Sequence, residues 1–391
     1  MELNNSSLSN ITSTDETESS SCQISNWTLA DQESDKVTLL SVVITISALL
    51  LLGIVGNGLV FYVYARKPQT TTNRVFILAL SVLDFLSCTV VIPFELYDMT
   101  HNYNFTIVPL CKIARFSEFL LILSGGFTLV AISLDRYVHL CRYKSRFVLT
   151  ASRAKKVCAF CVVASVIFSM PLLKFSGIET MELLIGETNL TACGCTSFRD
   201  KTERDGKIYT YILMITFVGA LLTMLTSYCC IGVTLFRRRI GSTRNGLTFI
   251  AAVGETQKLN KQSNQNSDMK KKESFAIGKS SINLNGSTVI FFTVTLVFVL
   301  GFVPHLCVRI LRFLHITFTG DTSENSLYNF LVRSYLINSV SNPFIYSIIH
   351  KRFRDELFKT MKKMFCCSKD SITVTLPRTR STTTLAETSF T

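Results

Sequence analysis

The stretch FLLILSGGFTLVAISLDRYVHL, Phe119–Leu140, carries no charge until Asp135 and Arg136 stand side by side, with Tyr137 directly after them. A helix of about 20 apolar residues crosses the hydrocarbon core of a bilayer. An acid, a base and a phenol at the end of such a run mark the depth where lipid meets water. A snorkelling arginine and an interfacial tyrosine would suit any helix end, so the meaning of this one depends on its companions.

The chain has 391 residues, of which 48% are hydrophobic and only 17% charged, and its mean hydropathy is +0.35. Its apolar residues come in blocks, and seven can be read: Val37–Ala65, Val75–Met99, Lys112–Leu140, Lys156–Gly177, Ile208–Phe236, Val289–Leu314 and Leu327–His350. Each is expected to be a helix, because unpaired backbone groups are too costly in hydrocarbon and the blocks lack the alternation of a barrel strand. The fold class is therefore an all-α membrane protein, a seven-transmembrane helix bundle. Its expected parts are a disordered glycosylated tail over 1–36, the bundle over 37–350, an amphipathic surface helix over 351–367 and a Ser/Thr-rich tail over 368–391.

Charge orients the bundle. The first tail has one cation, Lys36, against Glu2, Asp15, Glu16, Glu18, Asp31, Glu33 and Asp35. Basic residues gather instead in alternate connections: Arg66, Lys67 and Arg74; then Arg142, Lys144, Arg146, Arg153, Lys155 and Lys156; then Arg237–Arg239 and Lys270–Lys272. Basic loops stay inside, which places the N-terminus outside and the C-terminus in the cytoplasm of a multi-pass plasma-membrane protein. Most of the +13 net charge then faces the anionic inner leaflet, which argues against a nucleic-acid partner. Sequons at Asn4, Asn5, Asn10, Asn26, Asn104 and Asn189 fall on the outer side as glycosylation candidates. MELNNSSLSN has no apolar core for a cleavable signal, so the first helix is expected to be the anchor.

Of thirteen cysteines, Cys22, Cys111, Cys193 and Cys195 lie on the oxidising side. A bridge from Cys111 into the long loop before the fifth helix would pin that loop over the bundle mouth. Cys193 is taken as its partner, with Cys195 the alternative and Cys22 available to the leftover thiol; spacing alone does not set the pairing. The segment Gly241–Leu284 is polar and reads as a flexible linker.

Asp84 in LALSVLD, Asn57 in GIVGN, and Asn338 and Asn342 in INSVSNPFIY are polar groups at similar depth in four-helix company. They should face one another, since a lone carboxylate in lipid costs at least a few kcal/mol. Pro304 and Pro343 interrupt two helices and free carbonyls for side chains.

Over about residues 37–367 the chain resembles the rhodopsin-like G-protein-coupled receptors. The resemblance rests on Asn57, Asp84, Cys111, Asp135-Arg136-Tyr137, Phe298 ahead of Pro304, and Asn342-Pro343-Phe344-Ile345-Tyr346, in order and spacing. It implies a two-state switch in which Arg136 pairs with Asp135 at rest and is released on activation, opening the inner mouth to a heterotrimeric G protein. Tyr228 and Tyr346 are implied to hold the open form. Asp84, Asn338 and Asn342 could hold Na⁺; no other cofactor is expected, and no catalytic set is seen.

The departures matter. The sixth-helix motif reads Gly301-Phe302-Val303-Pro304, so Phe302 stands in for a tryptophan at the pocket floor, and the fourth-helix tryptophan is replaced near Cys161. Gly125 lacks the hydroxyl that a sodium site would want, and no acid near Leu284 bridges Arg136 to the sixth helix, so signalling without ligand is expected. After Tyr346, Ile349, Phe353, Leu357 and Met361 repeat at helical spacing among Lys and Arg, which suits a helix lying on the inner leaflet. Cys366 and Cys367 at its end are palmitoylation candidates. Thr379 and Ser381–Thr384 could be phosphorylated by receptor kinases and then bind arrestin.

For the ligand, the outer halves of the helices offer Glu95, Arg115, Glu118, Phe302, His305, Arg309 and Arg333, with Asp98 and Arg312 nearby. Glu118 could take a ligand ammonium or guanidinium; its alternative is a salt bridge to Arg115, three residues before it on the same face. Arg309 or Arg333 could take an acidic group or a carbonyl. Both signs in one mouth suit an extracellular peptide, a neuropeptide first, better than a small amine or lipid. A non-signalling decoy of the same fold is the remaining alternative.

Overall fold

The computed structural model describes residues 29–67, 70–101, 105–142, 148–185, 188–197, 204–260, 286–313 and 322–367. In chain order the elements are α1 (Leu29–Ala65), α2 (Thr72–Leu86), a π-helical turn (Ser87–Val91), α3 (Ile92–Thr100), α4 (Val108–Cys141), α5 (Ala151–Ser169) and a single turn α6 (Leu172–Phe175). Two strands follow, β1 (Gly177–Ile185) and β2 (Thr188–Thr196), then α7 (Arg204–Asn260), α8 (Gly286–Phe313), α9 (Thr322–Val332), α10 (Leu336–Ile349) and α11 (Lys351–Cys367). Among the described residues, six helical stretches are long and apolar enough to cross a membrane. The seventh crossing is split into α9 and α10 by the tight turn at Arg333–Tyr335, where i→i+3 bonds such as Leu336 N to Arg333 O replace the helical ladder.

The bundle is sorted inside out. Phe160 and Ile215 are each 72% exposed, whereas Asn57 is 0% and Asp84 5% exposed. An apolar rim and a polar seam is the arrangement that a lipid solvent demands, because backbone and side-chain polar groups find partners only inside. The helices can close on that seam because of Gly53 and Gly56. A Cβ at Gly53 would lie 2.3 Å from Cys88 Sγ, and one at Gly56 2.9 Å from the Pro343 ring, so these positions let α1 approach its neighbours at backbone distance. Thr71 and Thr150 cap α2 and α5 by accepting from the amides of Arg74 and Arg153.

Several boundaries differ from the sequence reading. α7 runs on to Asn260, into the stretch read as linker; no proline lies between 204 and 260, so nothing stops the helix from propagating. The helix of the fourth crossing ends at Ser169, two residues ahead of Pro171, whose ring has no N–H to continue the i→i−4 ladder. α1 starts at Leu29, inside the stretch read as tail. The loop read as a tethered cover contains an antiparallel hairpin with Ile178 opposite Cys195 and Thr180 opposite Cys193. Its apolar and β-branched residues satisfy their backbone groups by pairing with each other. Asn4, Asn5, Asn10, Asn26, Asn104, Cys22, residues 261–285, Leu314 and the 368–391 tail lie outside the described residues, as do the side chains of Asn189, Arg312, Cys366 and Cys367.

Candidate functional site

The π-helical turn Ser87–Val91 sets up the site at the hairpin end. Pro93 has no N–H to give, and its ring crowds the preceding turn; a wider turn absorbs that and shifts the register of everything after it. Glu95 and Asp98 on α3 are thereby buried at 2% and 6% exposure, facing Arg115 and Glu118 of α4. The Arg115 Nη1 lies 2.9 Å from Glu95 Oε1 and 2.8 Å from Glu118 Oε2, and its Nη2 lies 2.8 Å from Asp98 Oδ2. From the seventh crossing, Arg333 Nε sits 2.7 Å from Glu95 Oε2 and its Nη2 3.8 Å from Asp98 Oδ2. Arg333 Nη1 also donates to Asn329 Oδ1 at 2.8 Å, and Tyr335 Oη donates to Glu95 Oε1 at 3.4 Å.

Three carboxylates and two guanidiniums thus form one network tying α3, α4 and the α9–α10 turn. The internal pairing foreseen as the alternative for Glu118 is present. Arg309 of α8 is half-buried and makes no ion pair among the described residues; it acts on Glu95 and His305 only through space. Below the network lies an aromatic stack. Phe302 stacks on Phe217 at 4.2 Å and on Phe298 at 5.7 Å, and tilts against His305 at 5.2 Å. His305 is held by the Val332 carbonyl and packs edge-on to Tyr335.

The hairpin covers this mouth, joined by a disulfide from Cys111 to Cys195 rather than to Cys193. The register explains the correction. Cys111 Sγ lies 3.3 Å from Gly177 O and 4.0 Å from Thr196 O, at the open end of the hairpin. Cys193, two residues farther along the same face, stands about 6–7 Å beyond reach. Cys193 is itself disulfide-bonded, and its carbonyl accepts from Phe105 N at 3.0 Å; the expected pairing with Cys22 lies outside the described residues.

At the bundle centre, Asn342 Nδ2 donates to Asp84 Oδ2 at 2.5 Å. Asn57 Nδ2 donates to Gly53 O at 3.1 Å and to Ser339 O at 2.7 Å. Ser339 is four residues before Pro343, whose missing N–H would otherwise serve that carbonyl, so Asn57 repairs the ladder that Pro343 breaks. Ser334 Oγ donates to Gly301 O at 2.7 Å, tying the α9–α10 turn to α8 beside Pro304. The Oδ1 atoms of Asn338 and Asn342 are buried without a partner among the described residues.

At the far end of α4, Arg136 forms a buried ion pair with Asp135 and lies 5.3 Å over the Phe291 ring. Tyr137 beside them is half-buried. Neither implied tyrosine touches Arg136. Tyr228 Oη is bonded to Thr295 Oγ1 at 3.1 Å, tying α7 to α8, and Tyr346 packs between Tyr64 and Phe353 of α11. A crevice of about 630 Å³ opens here, lined among others by Asn73, Asp135, Arg136, Ser287 and His350. Asn73 Nδ2 donates to Ser287 Oγ at 2.8 Å, joining α2 to α8 across it. Sequence reasoning missed this tie, and also Tyr335, Asn329 and Phe217 in the mouth. Asn73, Tyr335 and Phe217 are ordinary residues whose partners are far along the chain, and Asn329, four residues before Arg333, carries no motif that marks it.

The family described as 7 transmembrane receptor (rhodopsin family) matches residues 56–346. The chain is 28% identical over 227 residues to the C3a anaphylatoxin chemotactic receptor of Oncorhynchus mykiss, covering 56% of this chain and 59% of that one. It is 24% identical to the C-C chemokine receptor type 7 of Homo sapiens over 83% of this chain and 76% of the relative. To the neuromedin-U receptor 2 of Mus musculus it is 25% identical, over 81% and 73%. The match to the first of these spans about three-fifths of that relative's length.

Proposed function

This chain belongs to the rhodopsin family of seven-transmembrane receptors, and we propose that it binds an extracellular peptide at the hairpin end and activates a heterotrimeric G protein at the Asp135–Arg136 end. The observation that carries the reading is the two-signed network of Glu95, Asp98, Glu118, Arg115 and Arg333 under a disulfide-tied hairpin. A peptide presents charged and amide groups over a long extent, and such a mouth can answer both. The named receptors for C3a anaphylatoxin, chemokine and neuromedin-U among the relatives support the same class.

In this reading Arg309, half-buried at the rim, meets the ligand first, with His305 and Phe302 beneath it. Ligand contact with Glu95, Arg115, Glu118 or Arg333 redistributes a network that already ties three crossings together, and the Phe302–Phe298 stack carries the displacement down α8. At the other end the Asp135–Arg136 pair opens, Arg136 is freed for the G protein, and Tyr228 and Tyr346 leave their present partners to hold it. A ligand can bias such an equilibrium only by its differential affinity for the two forms. The N-terminus lies outside and the C-terminus in the cytoplasm, in keeping with the basic connections.

Asp84 with the unpartnered Asn338 and Asn342 oxygens fits a hard cation that takes oxygen ligands, and these would hold Na⁺. Nothing stands within 4 Å of where a Cβ at Gly125 would be, so α4 leaves room there but adds no hydroxyl. Cys366 and Cys367 would carry palmitate, and the phosphorylated tail would recruit arrestin after receptor kinases act.

The test is a neuropeptide library applied to cells expressing the chain with a promiscuous G protein. The expected result is a calcium response that mock-transfected cells lack and that Arg309→Ala weakens at least tenfold in potency. A library-wide silence, together with baseline second messenger equal to mock, would sink the reading.

A further inference from the structure

Three helix starts meet at the crevice beside Arg136. Thr72 and Asn73 open α2, Gly286 and Ser287 open α8, and Lys351 opens α11, and all five line the same space. The first amides of a helix have no partner within it, and the aligned peptide dipoles leave partial positive charge there. The side-chain caps at two of these starts use one donor each: Thr71 Oγ1 takes the Arg74 amide, and His350 Nδ1 takes the Phe353 amide. A convergence of this kind favours an anion.

Side chains add to the same sign. Among the described residues that line the crevice, Asp135 is the one acid, and Arg136 already pairs with it. Arg136 is 6% exposed, and its Nε is buried with no hydrogen-bond partner among the described residues. Lys351 is exposed and makes no ion pair among the described residues. A buried guanidinium with a donor to spare, an exposed ammonium and three helix starts therefore surround one cavity. Its volume of about 630 Å³ admits a peptide side chain bearing a phosphate.

We propose that this crevice is a phosphate-binding site whose occupant is the chain's own tail, phosphorylated within Ser381–Thr384. Reach and charge argue for that occupant. α11 leads away from Lys351 for 17 residues, about 25 Å at helical rise. The segment from Cys367 to Ser381 spans roughly 45 Å when extended, so its hydroxyls can return to where α11 begins. Without phosphate, residues 368–391 carry Lys369, Arg378 and Arg380 against Asp370 and Glu387, a balance that the cationic crevice repels. Each phosphate adds about −1.5 to −2 charge and three acceptor oxygens, so a pair of them reverses the sign. Tethering then makes docking an intramolecular event at high effective concentration. A docked tail covers Arg136 and leaves a G protein no entry, so kinase action quenches signalling before arrestin arrives. That consequence rests on the G-protein reading above; the site itself does not.

The test is the full-length chain in nanodiscs, its tail supplied by ligation of a synthetic 368–391 segment. The segment bears photo-leucine at Leu385 and phosphate on Thr382, Thr383 and Thr384, or no phosphate. Irradiation is expected to join Leu385 to peptides from the first turns of α2 or α8, about tenfold more with phosphate than without. Lys351→Gln, at an exposed position, should lower that yield about fivefold, and Lys362→Gln, farther along α11, should leave it unchanged. Equal yields with and without phosphate, cross-links confined to α11 or to a second copy of the chain, or equal losses from the two lysine variants would each overturn the proposal. The cross-link is read with no G protein present, so a failure of nucleotide exchange would count against the function proposed above and not against this site.

Discussion

Arg115 is the residue on which the mouth depends. Its guanidinium reaches Glu95, Asp98 and Glu118 within 2.9 Å, and removing it would leave Glu95 and Asp98 to Arg333 and take from Glu118 its ion-pair partner among the described residues. Stripping one partner from a buried ion network costs about 3–5 kcal/mol, a large share of a domain's total stability. Arg115→Ala is therefore expected to lose most of its cell-surface expression, measured as surface over total epitope signal; normal delivery would contradict the account. Glu118→Gln removes one of three acids from the same arginine, so expression and agonist potency should fall together, where a purely ligand-contacting Glu118 would lose potency alone. Asn57 acts by a neutral bond. Asn57→Ala would leave Ser339 O without the donor that Pro343 cannot supply, at about 1–3 kcal/mol. A thermal-shift assay on the purified chain should show a lower melting temperature, and an unchanged one would mean that another group serves that carbonyl.

Among the elements, α8 is held at its lower end by light fastenings. Tyr228–Thr295 ties it to α7 and Asn73–Ser287 ties it to α2, and no acid on its described residues reaches Arg136. A neutral hydrogen bond contributes about 0.5–1.5 kcal/mol net, which is about a two- to tenfold shift in a two-state equilibrium. Ser287→Ala is accordingly expected to raise ligand-free signalling by that factor, read as basal second messenger per surface receptor, and a lower or equal baseline would count against the tie. The hairpin is a second such element. Non-reducing peptide mapping should recover Cys111 joined to Cys195, and Cys195→Ser should free the hairpin and abolish high-affinity ligand binding. Recovery of a Cys111–Cys193 peptide would overturn the assignment.

At the scale of the whole molecule, three polar stations lie along one bundle: the ionic network at the hairpin end, Asp84–Asn342 at the centre and Asp135–Arg136 at the far end. Packed aromatics such as Phe302, Phe298 and Phe291 belong to the core between them, and in the proposed reading they pass a displacement from one station to the next. The proposed orientation is checked with epitope tags: an N-terminal tag stained on intact cells and a C-terminal tag stained only after permeabilisation are expected, and the reverse pattern would invert the signalling direction. The amino-acid sequence by itself determined the crossings, because hydropathy over about 20 residues is a local quantity, and it brought Asn57, Asp84, Asn338 and Asn342 toward one another because a lone polar group is costly in lipid. It could not determine that Cys195 takes Cys111, that Pro93 is accommodated by a π-helical turn, that Arg115 also binds Glu95 and Asp98, or that Asn73 meets Ser287. Those outcomes turn on register and on contacts between residues far apart along the chain, 214 positions for Asn73 and Ser287; only the packed bundle sets such distances, since each partner's local sequence is compatible with several others.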